Sequence, residues 1–258
     1  VKNFLITLVF TILFSALPVS KLLAQIDITD SVENMIIYNH ERFGQAIAHN
    51  LGIGIGYRAG KNISAFQTRF FSAEIVTMRS LKQIKIYNPY PNTDARRYVY
   101  GKLNEVLNLR GGFGFRKLIN GKPYWGGVEL RWIYEIGASL AIEKPYYLFV
   151  YKAVPINGGY DYVIETTKFD ANTSYDNIYG RAPFTKGLNE LSLVPGVYFR
   201  SGFSFEFGEI KTSIKALEAG ALIEAFPGGL TIMAENTNQP LFVNFYIAFS
   251  FGKRFNKY

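Results

Sequence analysis

The stretch from residue 240 to 254 alternates in chemistry with a period of two. Leu241, Val243, Phe245, Ile247, Phe249 and Phe251 fall on one face. Asn244, Tyr246, Ala248, Ser250, Gly252 and Arg254 fall on the other, with Phe242 the one misfit. Successive side chains of an extended chain point to opposite sides, so this pattern specifies a strand. Residues 127–142 repeat it, with Val128, Leu130, Trp132, Tyr134 and Ile136 opposing Glu129, Arg131, Glu135 and Ser139. Residues 197–207 repeat it again, with Phe199, Phe203, Phe205 and Phe207 opposing Tyr198, Arg200, Ser204 and Glu206. Soluble strands average roughly 5–6 residues, whereas a strand that crosses a bilayer needs about 9–11. The alternating runs exceed that length. They fit a barrel whose apolar face meets lipid and whose polar face fills the lumen, the inverse of a soluble sandwich.

Eight such segments are legible, near 45–58, 62–78, 98–118, 124–142, 146–155, 190–207, 209–225 and 240–254. The fold expected is all-β, a closed antiparallel transmembrane β-barrel of about eight strands. Aromatic residues make up 16% of the chain, with 22 Phe and 18 Tyr, as girdles at two membrane interfaces require. A phase slip at Phe70-Phe71 suggests a bulge. Glu105 falls on the lipid face of the third segment, which points to a later start for that strand. The fifth, around Tyr146-Tyr147-Leu148-Phe149-Val150-Tyr151, is apolar on both faces.

The first residues have the form of a cleaved signal peptide: Lys2, an apolar run over 4–17, Pro18, and a cleavage site after Ala24. The expected organisation is a signal peptide at 1–24, a periplasmic segment at 25–43 and the barrel at 44–258. There is no cysteine, which excludes disulfides, thiolate metal sites and a lipid-modified cysteine. The formal net charge is +8, with Lys2 and Lys21 lying in the leader. For an exported chain this balance points to anionic outer-membrane lipid as the partner surface and away from nucleic acid.

With both barrel ends in the periplasm, tight connections at 143–145 and 208–209 fit periplasmic turns, and the long 156–189 connection fits an external loop. That loop mixes Tyr160, Tyr162, Tyr175 and Tyr179 with Asp161, Asp170, Asp176, Asn157, Asn172 and Asn177, which suits either recognition or plain solvation. The connection at 79–97 breaks the rule as a long periplasmic excursion. It carries Arg79, Lys82, Lys85, Tyr87, Tyr90, Arg96 and Arg97. Two readings stand: a strand hairpin extended into the periplasm, or a docking surface for a periplasmic or membrane partner.

On the interior face the sequence places Arg58, Arg131 and Arg200 with Glu129, Glu135, Glu206, Glu218 and Glu224. An eight-stranded barrel is just wide enough to be filled by side chains, and buried charges there must pair, so a salt-bridged closed lumen is expected. Leu51-Gly52-Ile53-Gly54-Ile55-Gly56 lacks the strand–turn–helix context of a phosphate loop. Its glycines read as small lumen-facing residues that ease curvature and leave space. His40 and His49, nine residues apart, make poor metal ligands. His49 shares a face with Leu51 and Ile53 and is expected toward the periplasm, the wrong side for a lipid hydrolase acting at the outer surface. No catalytic set, cofactor site or metal site is expected.

The leader, the alternating aromatic strands and the terminal aromatic Tyr258 together resemble the small outer-membrane β-barrel proteins of Gram-negative bacteria. Residues 98–104 (Tyr98 to Asn104) and 124–129 (Tyr124 to Glu129) are similar to uncharacterised members of such families. The resemblance implies an outer-membrane location but attaches no activity to any residue. The expected function is a non-enzymatic structural or accessory subunit of an outer-membrane assembly or secretion complex. A lipid-modifying enzyme is the alternative, and a small pore a further one.

Overall fold

The computed structural model describes residues 38–88, 95–122, 127–170, 173–207, 212–234 and 238–256. The leader, residues 25–37 of the segment after it, Tyr90, 124–126 and Tyr258 lie outside them. In chain order the strands are β1 His40–His49, β2 Gly52–Ser64, β3 Gln67–Met78, β4 Lys85–Ile86, β5 Tyr98–Val99, β6 Asn104–Asn120 and β7 Glu129–Pro145. They continue with β8 Tyr147–Ile156, β9 Gly159–Lys168, β10 Ile178–Arg181, β11 Ser192–Glu206, β12 Ser213–Leu230 and β13 Gln239–Phe255.

Eight of these close an antiparallel barrel in the order β1-β2-β3-β6-β7-β11-β12-β13, with β13 pairing back onto β1. From His40 the registered pairs run through Lys61, Arg69, Phe115, Tyr134, Ser201, Ala221 and Phe245. The circuit returns to Asn50, whose amide donates to the Phe245 carbonyl at 3.2 Å. It therefore comes back ten residues further along β1 than it began, and this stagger requires tilted strands. The outside is apolar: Ile53, Ile55, Phe71, Ile136, Phe245 and Ile247 are all exposed, Phe245 to 68%.

The number of barrel strands matches the sequence reading, but their identities differ. Residues 45–58 are parts of two strands, β1 and β2, joined by the turn at Asn50-Leu51. The barrel therefore begins at His40, inside the segment assigned to the periplasm. The phase slip reflects a second tight turn at Ala65-Phe66. β3 pairs with β6 without interruption through Phe70 and Phe71, and the register shift on β2 lies between Asn62 and Ser64. Of residues 146–155, all but Tyr146 belong to β8, a strand outside the barrel in a sheet of order β10-β8-β9.

These changes settle the two ends of the barrel. The turn at 65–66 and the connections 121–128 and 207–212 share one end with His40 and Phe255. The connections 50–51, 79–103, 146–191 and 231–238 share the other. The described residues of the basic excursion, 79–88 and 95–97, therefore lie at the end opposite His40 and Phe255, beside the long loop, and not at the end expected from the sequence. Residues 143–145 are the last of β7 and lead into the long loop; they are not a turn at the chain-end side.

Candidate functional site: a filled lumen beneath a folded cap

Inward residues of the eight strands meet in layers. In the central layer Arg58, fully buried, bonds Glu218 at 2.6 Å and Glu135 at 3.1 Å and stacks over Phe70. Arg110 clamps Glu224 through two bonds of 3.0 and 2.8 Å, and Arg200 pairs with Glu74 and stands 3.5 Å from Glu135. Among the described residues this layer holds three arginines and four glutamates. Neutral donors serve the additional carboxylate charge: Ser72 to Glu135 at 2.6 Å, Asn108 to Glu224 at 2.7 Å, and Tyr246 to Glu218 at 2.6 Å. Tyr198 also donates to Glu135. A buried ion without such partners costs several kcal/mol, so the network is stable only as a set.

Two tyrosines are held by matched glycines. Gly112 pairs with Gly137 across β6 and β7, and a β-carbon on Gly112 would stand 2.2 Å from the Tyr198 hydroxyl. Gly202 pairs with Gly220 across β11 and β12, and a β-carbon on Gly202 would stand 2.7 Å from the Tyr246 hydroxyl. Each ring lies where side chains are missing, which lets its hydroxyl reach a glutamate.

Toward the chain ends a second ionic layer pairs Arg116 with Glu41, Arg254 with Glu206 at 2.7 Å, and Arg131 with Glu129. Phe43, Ile133 and Ile214 are buried inward as well, so the lumen is not purely ionic. All eight charges read from the sequence lie in or at the mouth of the lumen, with Glu129 and Arg131 half-buried. Glu41, Glu74, Arg110, Arg116 and Arg254 join them. Arg110 and Arg116 share the inward parity of β6, opposite to that of Glu105, which could have revealed them, whereas Glu41 lay before the strand start assigned from sequence.

At the far end the lumen is closed by an apolar plug of Met78, Val99, Val106, Phe226, Leu230, Ile232, Met233 and Phe242. Phe242, the misfit in the alternation, thus faces inward at the height where the lining changes from polar to apolar. Above the plug the two long connections fold together around Tyr98, Tyr146, Leu148 and Ile178. Glu105 ties this cap to the barrel through Arg181 at 2.9 Å, and it pairs along the wall with Lys144 of β7 at 3.2 Å. That accounts for a carboxylate on the outward row of β6: it stands where the cap docks.

The β8–β9 hairpin projects from the cap. Its base is held by β10, which pairs only with Leu148, Phe149 and Val150. Beyond Tyr151 it has two strands and a tip at Asn157-Gly158, where Gly158 takes φ +98. Cross-strand pairing puts Tyr151, Ala153 and Pro155 on one face with Ile164, Tyr162 and Tyr160. That face carries no charge, and Tyr160 and Tyr162 are 72% and 66% exposed. The opposite face holds the exposed Lys152–Glu165 pair at 2.8 Å. Tyr175 and Tyr179, by contrast, pack against rings of the cap, Tyr98 and Tyr151 respectively.

The basic group at 79–97 is dispersed over the cap. Arg79 and Lys82 stand at the barrel rim, Lys85 pairs with Val99 in the β4–β5 ladder, and Arg97 stacks over Tyr87 at 4.3 Å. The Arg96 carbonyl accepts the Arg181 amide at 3.2 Å. His40 and His49 end the same strand about 30 Å apart. His49 lies on the inward face of β1 at the cap end, with Nδ1 accepting the Leu51 amide at 3.3 Å. Both parts of the expectation for it, a face shared with Ile53 and a place near the chain ends, are thereby corrected, because the turn at Asn50-Leu51 resets the phase. The glycines at 52, 54 and 56 do face inward, but they leave no open space. A β-carbon on Gly52 would stand 2.0 Å from the Thr77 carbonyl and one on Gly54 2.3 Å from Val76, so they serve close packing against β3.

No family model and no curated protein sequence matches the chain. Among solved structures, Neisserial surface protein A (NspA) aligns with 84% of this chain and 96% of its own, at 8% identity and a TM-score of 0.39. A likeness of that size carries neither family nor function.

Proposed function

We propose that this chain is a non-enzymatic outer-membrane β-barrel that acts as an accessory subunit, holding a partner protein at its capped end. The membrane reading is supported by the wall itself: exposed aliphatic and aromatic rows surround strands long enough to cross a bilayer, while the paired arginines and glutamates of the central layer lie inside. The lumen favours a scaffold over a conduit, since it is filled by paired charges and covered by the plug.

One observation carries the partner reading. The uncharged face of the β8–β9 hairpin, centred on Tyr160, Tyr162 and Ile164, stands clear of the cap, and β9 is the edge of its sheet. Tyrosine-rich apolar surface is characteristic of interfaces, and an open strand edge can receive another strand. The test is purification from membranes in mild detergent, comparing the wild type with Y160S/Y162S. The wild type is expected to bring down a stoichiometric protein, and the variant to lose it while remaining in the membrane. A wild type that purifies alone, or a variant that keeps the partner, overturns the reading. In planar bilayers the protein should give no conductance steps; discrete steps would overturn the closed-lumen half of it.

A further inference from the structure

At the cap-end rim, a groove of about 250 Å³ lies between the turn at 50–51, the residues after β3 and the outer ends of β12 and β13. Its floor is apolar and buried: Leu230, Ile232, Met233 and Phe242. One side is Val243, which belongs to the outward row of β13 with Leu241 and Phe245, so the groove opens directly onto the apolar wall. Its lip carries Arg79 and Lys82. The segment that follows exposes Leu81 to 75% and Ile84 to 73%, next to Lys82 and Lys85. Apolar side chains standing out among cations suit the interface between headgroups and acyl chains, where basic groups meet anionic lipid and aliphatic ones enter hydrocarbon.

We propose that this groove holds one phosphate-bearing lipid of the surrounding leaflet, its phosphate on Arg79 and Lys82 and an acyl chain along Leu51, Phe242 and Val243. The inference rests on the outer-membrane reading above. Cations on the lip and continuity with the lipid-facing wall select an anionic amphiphile. A free phosphate would use the lip and ignore the floor. A neutral lipid would use the floor and ignore the lip.

Native mass spectrometry of the full chain in detergent tests this, with dioleoyl phosphatidate, dioleoylglycerol and inorganic phosphate as separate additions. One phosphatidate should be retained, at least tenfold more tightly than dioleoylglycerol, with no retention of inorganic phosphate. R79Q/K82Q should lose that preference roughly tenfold or more, two cations each acting on one anionic headgroup. L51W, which fills the groove, should lose retention with both cations present, while K152Q on the hairpin should bind as the wild type does. Equal retention of phosphatidate and dioleoylglycerol, or binding of inorganic phosphate with equal strength, overturns the proposal. Partitioning into phosphatidylcholine vesicles separates the two readings. A protein that stays out of the vesicles sinks the membrane reading, whereas one that partitions but shows no phosphatidate preference sinks only this site.

Discussion

Arg58 on β2 and Glu218 on β12 stand 160 residues apart in the chain and meet at 2.6 Å inside the barrel. Neither has water to fall back on, both being buried. Breaking one side of such a pair strands the other charge, at a cost of about 3–5 kcal/mol. R58M is therefore expected to lower the urea midpoint of unfolding in detergent micelles by that equivalent. R58M/E218L should recover more than half the loss, because it removes the stranded carboxylate; a double variant no more stable than R58M would show that the pairing is not what holds these residues.

Gly112 and Tyr198 offer a second test. A methyl group at residue 112 would stand 2.2 Å from the tyrosine hydroxyl and 2.7 Å from the Glu135 carboxylate. G112A must displace the ring and break its bond to Glu135, at a cost of roughly 1–3 kcal/mol for overpacking. In G112A/Y198F the hydroxyl is gone and the nearest ring carbon stands 3.1 Å from the added methyl, so the penalty of G112A measured in the Y198F background should be smaller. Equal penalties in both backgrounds would detach the glycine from the tyrosine.

The cap should respond to pH through Lys102. Burial lowers its amine from 10.5 to about 8. Between those values the unfolded chain holds the proton and the folded cap has released it, so stability rises with pH. The contribution is complete above 10.5 and is lost as pH falls through about 8. Proteolytic resistance of residues 147–190, scaled to cleavage of an unstructured substrate, is expected to increase from pH 7.5 to 9.5. K102M should flatten that increase; an identical pH profile in K102M would assign the effect to other groups.

The sequence alone determined that strands run far longer than a soluble sheet needs, that their apolar rows face out, and which of β7, β11, β12 and β13 carry charge inward. Period-two alternation is a property of the extended backbone, so it can be read without knowing any partner. What β1 and β2 are could not be read that way. Asn50-Leu51 and Ala65-Phe66 are turns without proline or glycine at either position, and alternation on both sides hides them. Nor could alternation tell that Tyr147–Ile156 is a strand of the cap, because membership in a sheet is decided by the neighbour that supplies the hydrogen bonds. Only closure of the barrel chose Glu218 for Arg58 and Glu224 for Arg110. Only closure, too, put both long connections at one end: moving one strand in the count reverses the end on which every later loop emerges. Local stereochemistry fixes how a strand faces, while its neighbours and the end on which it emerges follow from contacts made across the whole chain.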